Sequence, residues 1–224
     1  MRSTTENNVR CPKKKSGEMG KTKEHYFDSL LEEAEMVPAS FIPNTKNWTM
    51  RPVTPSGEVN TYALSCGGMD LLCHIHDAVS PFEPSSLADG PRKTLVLRLP
   101  ASWDAPIGEM EEALIAEVAV RSTELFGERQ SEEALRAKYK PISKKAGEYP
   151  RNLRVKLNTS GYHAARFWDL DRKRLEAPAE YSGLNFSAMV RFRALWVAAD
   201  SWGLVCDATD MQVLAGPVSP ECPF

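Results

Sequence analysis

The sequence predicts a β-rich α+β domain, and three observations lead to this fold class. Several stretches alternate apolar and polar residues with a period of two, which is typical of strands with one buried face. One stretch, residues 106–126, repeats its apolar residues with the period of a helix. Sixteen prolines and thirteen glycines among 224 residues indicate many turns between short elements.

The ends of the chain differ from its middle. Residues 1–24 are polar and nearly lack large apolar side chains, so they predict a disordered basic tail. Three lysines at 13–15 suit a nuclear-import signal, a weak phosphate contact or a solvated tail. Residues 25–215 are expected to form one globular domain that begins with a short helix over 25–36, and residues 216–224 a C-terminal tail.

Strand patterns surround the predicted helices. Residues 47–78 carry apolar side chains at strand spacing, and residues 93–99 alternate strictly between leucines and the set Thr94, Val96 and Arg98. The first helix is predicted over 106–126, with Gly127 ending it, and a shorter one over 131–139.

The helix ends and outer faces also follow from the sequence. Ser131 has the position of an N-cap for the second helix. The acidic residues between Glu109 and Glu133 are interpreted as a solvated helix face.

After Pro141 the period returns to two. The longest alternation runs through residues 185–198, and six of its side chains share one face: Phe186, Ala188, Val190, Phe192, Ala194 and Trp196. Trp196 is expected in the core, because large aromatic side chains are usually buried. A reversal near Gly203 leads into a last strand over 205–214.

Charge is distributed very unevenly along a chain whose formal net charge is −2. Residues 136–174 hold twelve basic side chains against three acidic ones, a balance of +9. Residues 103–135 hold nine acids against two arginines, a balance of −7. Clustered Lys and Arg attract polyanions, so this asymmetry indicates a nucleic-acid partner, and two oppositely charged solvated faces are the alternative.

Basic and aromatic residues in the C-terminal half are the candidate nucleic-acid-binding residues. Alternation places Arg154, Lys156, Arg191 and Arg193 on outer strand faces. In the segment 163–168, Arg166 and Trp168 share the wet face opposite Phe167, and Tyr162 precedes them. A basic loop over 138–151 either closes over a bound strand or is a surface connection, and it adds Lys140, Lys144, Lys145 and Arg151.

The sequence carries no recognisable motif for catalysis, metal binding or membrane insertion. Cys66, Cys73, His74 and His76 do not have the spacing of a zinc site, and residues 17–22 lack the first glycine of a phosphate loop. Catalytic motifs and apolar runs long enough for a membrane span do not occur. We therefore expect no enzyme activity, no metal and no cofactor, and the five cysteines predict free thiols in a reducing intracellular compartment.

The C-terminal pattern resembles a known family. It comprises the segments PRNLRVKLN, ARFWDLDRK, AMVRFRALWV and SWGLVCDATDMQVL between residues 138 and 214. Their order is similar to that in OB-fold single-stranded DNA-binding proteins of large double-stranded DNA viruses and related phage proteins. The resemblance implies an OB-like β-barrel with accessory helices that coats single strands and has no catalytic residues. It also implies sheet contacts from Arg154, Lys156, Arg166, Trp168, Arg191 and Arg193.

These observations together predict a non-catalytic protein that binds single-stranded nucleic acid with basic and aromatic side chains on a sheet face; single-stranded DNA is favoured, and the choice between DNA and RNA stays open. Its partners would be single-stranded DNA or RNA, and self-association and replication proteins are further candidates. It would act in the nucleus or at a viral replication site. The alternative is a structural or protein-interaction module with opposed acidic and basic faces.

Overall fold

A computed structural model describes residues 45–56, 59–86 and 91–215. All of these residues belong to one compact unit, Ala39–Phe224. The expected tails and the helix over 25–36 lie outside the described residues, so the proposed division of the chain remains a prediction.

Eleven strands in the described residues form one sheet, and most of them lie where the alternation predicted strands. Their bounds are β1 Trp48–Ser56, β2 Val59–Cys66, β3 Leu71–Val79, β4 Arg92–Arg98, β5 Tyr139–Lys140, β6 Ser143–Lys144, β7 Asn152–Asn158, β8 Arg166–Trp168, β9 Arg174–Leu175, β10 Asn185–Val197 and β11 Trp202–Ala215.

Three helices connect β4 to β5: α1 Asp104–Val120, α2 Ser122–Phe126 and α3 Glu132–Lys138. The single helix predicted over 106–126 is interrupted at Arg121, whose side chain bonds to Glu117 and to the carbonyl of Trp48 at the start of β1. Gly127 ends α2 with a φ of 79°, as predicted. The Ser131 Oγ accepts from the Ala134 amide, which confirms the N-cap of α3.

Five strands pair in a ring, which gives the molecule its OB-like fold. In chain order these strands are β3, β4, β7, β10 and β11. Around the ring β3 pairs with β4, β4 with β7, β7 with β11, β11 with β10, and β10 with β3 again. Counted along the chain, the first strand is therefore followed by the second, third, fifth and fourth, which is the strand order of an OB fold. The β3–β4 and β7–β11 seams consist of one residue pair each, Val79 with Arg98 and Lys156 with Asp207. The ring is therefore partly open, as in other OB folds.

The remaining strands extend the ring. The β1–β2 hairpin pairs with the second half of β10, and the β8–β9 hairpin pairs with the last part of β11. The core lies inside the ring and beneath α1. Its inward side chains on the ring strands are Leu71, Cys73, Ile75, Leu95, Leu97, Leu153, Val155, Leu157, Phe186, Ala188, Val190, Phe192, Cys206, Ala208 and Met211.

Cys73 and Cys206 are free thiols, as predicted for them. Burial raises the pKa of the Cys73 thiol to about 12 and that of Cys206 well above its usual value. These two side chains therefore act as small apolar core residues rather than as nucleophiles.

A bulge at Arg193 corrects the predicted face of Trp196. Phe192 pairs with Cys206 while Ala194 pairs with Val205, so one extra residue lies between them. Beyond the bulge Leu195 points inward and is fully buried, whereas Trp196 lies half-buried over Gly203. Period-two reasoning cannot detect the extra residue, and the predicted face is wrong from that point on.

Candidate nucleic-acid interface

The outer face of β4 and β7 is polar and basic. Directly paired residues share a face, and here the pairs are Arg92 with Asn158, Thr94 with Lys156, Val96 with Arg154 and Arg98 with Asn152. The intervening leucines and valine are buried in the ring, which confirms the predicted outward direction of Arg154 and Lys156.

Two cations on this face are engaged differently. Arg154 is exposed and has no ion-pair partner among the described residues. The Lys156 Nζ donates to the Thr94 hydroxyl over 2.9 Å. Burial and the neighbouring Arg92 guanidinium lower the pKa of Lys156, although Asp207 acts in the opposite direction.

A buried carboxylate gathers the cations of neighbouring strands. In the strand register, Asp207 on β11 lies opposite Lys156 on β7 and opposite Arg191 on β10. Its carboxylate lies 2.7 Å from the Arg193 Nε, 3.4 Å from a terminal nitrogen of Arg191 and 3.8 Å from one of Arg92. Three arginines thus surround one carboxylate, with Lys156 beside it on the neighbouring strand, and we call these five residues the Asp207 cluster.

A second group lies further along β11, on the edge that carries β8. Asp210 is buried, and its carboxylate lies 2.6 Å from the Nε of Arg166. The same carboxylate accepts a hydrogen bond of 3.1 Å from the indole nitrogen of Trp168. The guanidinium carbons of Arg166 and Arg174 lie 5.8 and 5.3 Å from the centre of the Trp168 ring. Phe167 is buried, which confirms that Arg166 and Trp168 share the outer face.

Two predicted residues of the basic loop are bound to the acidic helix instead. The Lys145 Nζ lies 2.6 Å from Asp104, and Arg151 bonds to Ser143 beside Glu111. The hydrogen bond from Lys145 is the main reason that the pKa of Asp104 is lowered. Lys145 and Arg151 therefore hold the loop in place.

Glu111 corrects the interpretation of the acidic segment as a solvated face. It is buried, and its carboxylate accepts bonds from the Tyr139 and Ser143 hydroxyls and from the amides of Ile142 and Ser143. Charge repulsion by this carboxylate and burial raise the pKa of Tyr139, burial being the larger cause. The acidic and basic segments thus contact each other here rather than forming opposed faces.

Lysines and aromatic rings lie at the two ends of the β4–β7 face. Lys144 is exposed and pairs with Asn152 at one end, while Lys140 pairs with Gly203 on the neighbouring β11. Tyr162, 85% exposed, lies in the loop after β7, at the other end of the face. This loop begins at Thr159, which bonds to the carbonyl of Pro91.

Sequence reasoning missed several residues of this face. Arg92, Asp207 and Asp210 were not predicted, and Tyr149, 76% exposed in the β6–β7 loop, was not singled out. The alternation of residues 93–99 contained the signal for the outer face of β4. Nothing in the local sequence indicated that two acids of β11 would face the same way as the basic residues.

The described ranges contain neither a candidate metal site nor a helix that could cross a membrane. Within residues 45–56, 59–86 and 91–215, no three His, Cys, Asp or Glu side chains are grouped to hold a metal ion. None of the helices in these ranges has the length and apolar character needed to cross a membrane.

Comparisons with known proteins find similarity in solved structures alone. No protein-family model matches the chain, and no curated protein matches it. The structure is similar to the single-stranded DNA-binding protein of bacteriophage Enc34 in complex with ssDNA, with 11% identity, a TM-score of 0.42, and 76% of this chain and 98% of that chain covered. It is also similar to a C-terminal truncation of the Enc34 protein, with 13% identity, a TM-score of 0.44, and 75% and 95% covered.

A third similar structure is gp2.5, a single-stranded DNA-binding protein encoded by bacteriophage T7, with 12% identity, a TM-score of 0.42, and 66% of this chain and 88% of that chain covered.

Proposed function

We propose that this chain is a non-catalytic single-stranded DNA-binding protein that binds its ligand on the outer face of β4, β7 and β11. The observation that carries the proposal is the Asp207 cluster on a ring with OB strand order. In OB folds, the outer face of the second and third strands and the adjoining loops bind oligonucleotides. In this ring those strands are β4 and β7, and their paired outer residues are cationic or polar.

Cations and aromatic rings have separate tasks in this proposal. Arg92, Arg154, Lys156 and Arg193 are the phosphate contacts, because each is at least partly exposed on the face. Exposed rings stack unpaired bases, which duplex DNA does not offer. Tyr162 and Tyr149, at the two ends of the face, are the stacking residues in this proposal, together with Phe82 in the loop between β3 and β4.

The other predicted residues support the face. Lys145, Arg151 and Arg166 pair with carboxylates outside the Asp207 cluster, and Arg191 directs both of its terminal nitrogens to carboxylates, so these four residues position the surface more than they contact the ligand. Trp168 lies beneath two guanidinium groups and supports them, which differs from the direct base stacking predicted from the sequence. Lys140 and Lys144 extend the positive potential beyond the end of the face.

A matched pair of double variants tests the location of the site. The test variant is R92A/R154A, on the proposed face. The control is R129A/R136A, near α3, which removes the same charge from exposed arginines. Each variant includes one arginine whose side chain is 48% exposed and ion-paired, Arg92 or Arg136.

Binding of a fluorescent dT oligonucleotide is measured by anisotropy over a range of salt concentrations. The test variant is expected to bind roughly tenfold or more weakly and to lose about 1.4 from its log–log salt slope, since each single-strand phosphate contact contributes about 0.7. The control should stay within about twofold of the wild type. If both variants lost the same affinity, the site would lie elsewhere and the loss would reflect the change in net charge alone.

A further inference from the structure

A carboxylate lies at the centre of the proposed DNA-binding face, where its negative charge repels phosphate. Asp207 is only 2% exposed, and its Oδ1 makes no hydrogen bond in the part of the chain that the structure describes. By Coulomb's law, a negative charge in this position weakens the attraction of a polyanion. Its presence therefore requires a compensating role.

The two arginines of β10 use their nitrogen atoms differently. Arg191 directs one terminal nitrogen to Asp70 and the other to Asp207, each at 3.4 Å, and 18% of its side chain is exposed. Arg193 engages Asp207 through its Nε, at 2.7 Å, and 38% of its side chain is exposed. The terminal nitrogens of Arg193 make no hydrogen bond to any described residue.

The bulge explains why Arg193 can be held in this way. Arg193 is the extra residue between the Phe192–Cys206 and Ala194–Val205 pairs. A bulge redirects a side chain relative to the regular pleat. Arg193 thereby reaches the same carboxylate as Arg191, which lies two residues earlier on the strand.

We propose that Asp207 is a positioning residue: it holds Arg193 by the Nε and so presents the two terminal nitrogens as a fork for one phosphate. A guanidinium with both terminal nitrogens available binds a phosphate in a bidentate manner, which a lysine cannot do. Arg191, by contrast, is a structural partner of Asp207. This inference rests on the proposed function, because it names the residue that orients one of its phosphate contacts.

The D207N variant distinguishes a positioning role from a purely electrostatic one, because the two predict opposite changes in DNA affinity. Removing one negative charge from a face that binds a polyanion should strengthen binding if only charge matters. If Asp207 positions Arg193, binding of a dT oligonucleotide should instead weaken, about fivefold or more, with a loss of about 0.7 from the log–log salt slope. In an R193A background, D207N should cause no further loss.

The outcomes are distinguishable. A wild-type protein that does not bind dT contradicts the proposed function itself. A wild type that binds, with a D207N variant that binds equally well or more tightly, overturns the role of Asp207 and leaves the function standing.

A second comparison keeps the test decisive if D207N fails to fold, as judged by its thermal midpoint. R193K is expected to weaken binding about fivefold or more, because the charge is kept and the fork is lost, while R129K, at an exposed arginine near α3 and away from the face, stays within about twofold of the wild type. Equal effects of R193K and R129K would overturn the proposal.

Discussion

At the scale of single residues, what an arginine does depends on which of its atoms are already engaged. Arg166 reaches Asp210 with both its Nε and a terminal nitrogen, at 2.6 and 2.9 Å. Arg151 lies between Asp104, Glu111 and Ser143. Sequence alternation predicted that Arg154, Arg191 and Arg193 face outward, and the burial pattern of their strands confirms it. The carboxylates that distinguish Arg191 from Arg193 lie on another strand, so no local pattern could reveal them.

His74 gives a prediction about pH. Its Nε2 lies 2.5 Å from the Ser187 Oγ, and burial, followed by the charge of His76, lowers its pKa from 6.5. As the pH falls through 6.5, the unfolded chain binds more protons at His74 than the folded chain does. Acidification therefore favours the unfolded chain, and the stability of the fold decreases as the pH decreases. The denaturant midpoint should therefore decrease between about pH 7 and pH 5, and H74Q should reduce that decrease.

The control for this prediction is H76Q, since His76 is exposed beside Asp77. It should leave most of the pH dependence in place. If H74Q keeps the full wild-type dependence while H76Q removes it, the account of His74 is wrong.

At the scale of elements, the sequence predicted strands and helix ends well where the pattern was regular. The leucine alternation of β4 and β7 and the N-cap at Ser131 depend on neighbouring residues, and both are confirmed. The break at Arg121 and the bulge at Arg193 depend on contacts with distant strands, and both were missed. A bulge inserts one residue, which reverses every later face in a period-two pattern.

Glu111 is the residue on which the loop between α3 and β7 depends most. Replacing it by Ala leaves the Ser143 hydroxyl and the amides of Ile142 and Ser143 without their acceptor, and removes the carboxylate that lies 3.7 Å from the Arg151 guanidinium. We expect E111A to lower the free energy of unfolding by about 2–4 kcal/mol, because unpaired buried polar and charged groups are costly. Chemical denaturation monitored by tryptophan fluorescence measures this loss.

The neighbouring residue provides the control. Glu112 forms a surface ion pair with Arg136, and 60% of its side chain is exposed. Such pairs contribute little, so E112A should change the free energy of unfolding by no more than about 0.5–1 kcal/mol. Similar losses in the two variants would contradict the structural role of Glu111.

At the scale of the whole molecule, a net charge of −2 conceals a cationic face. Part of the +9 balance of residues 136–174 is neutralised by α1, through Lys145, Arg151 and Arg136. Arg154 and Lys156 of the same segment lie with Arg92, Arg191 and Arg193 on the face that the pairing of β4, β7, β11 and β10 creates. The charge asymmetry was visible in the sequence. The cationic face could not be predicted from it, because the strand order brings together residues that are far apart in the chain.

The measurement that tests the central claim most directly is the salt dependence of binding to a dT oligonucleotide, with blunt duplex DNA as competitor. The account predicts a log–log slope of about −2 to −3, from three or four phosphate contacts of about 0.7 each, and a clear preference for the single strand. A slope near zero, or competition by duplex as effective as that by unlabelled dT, would contradict it.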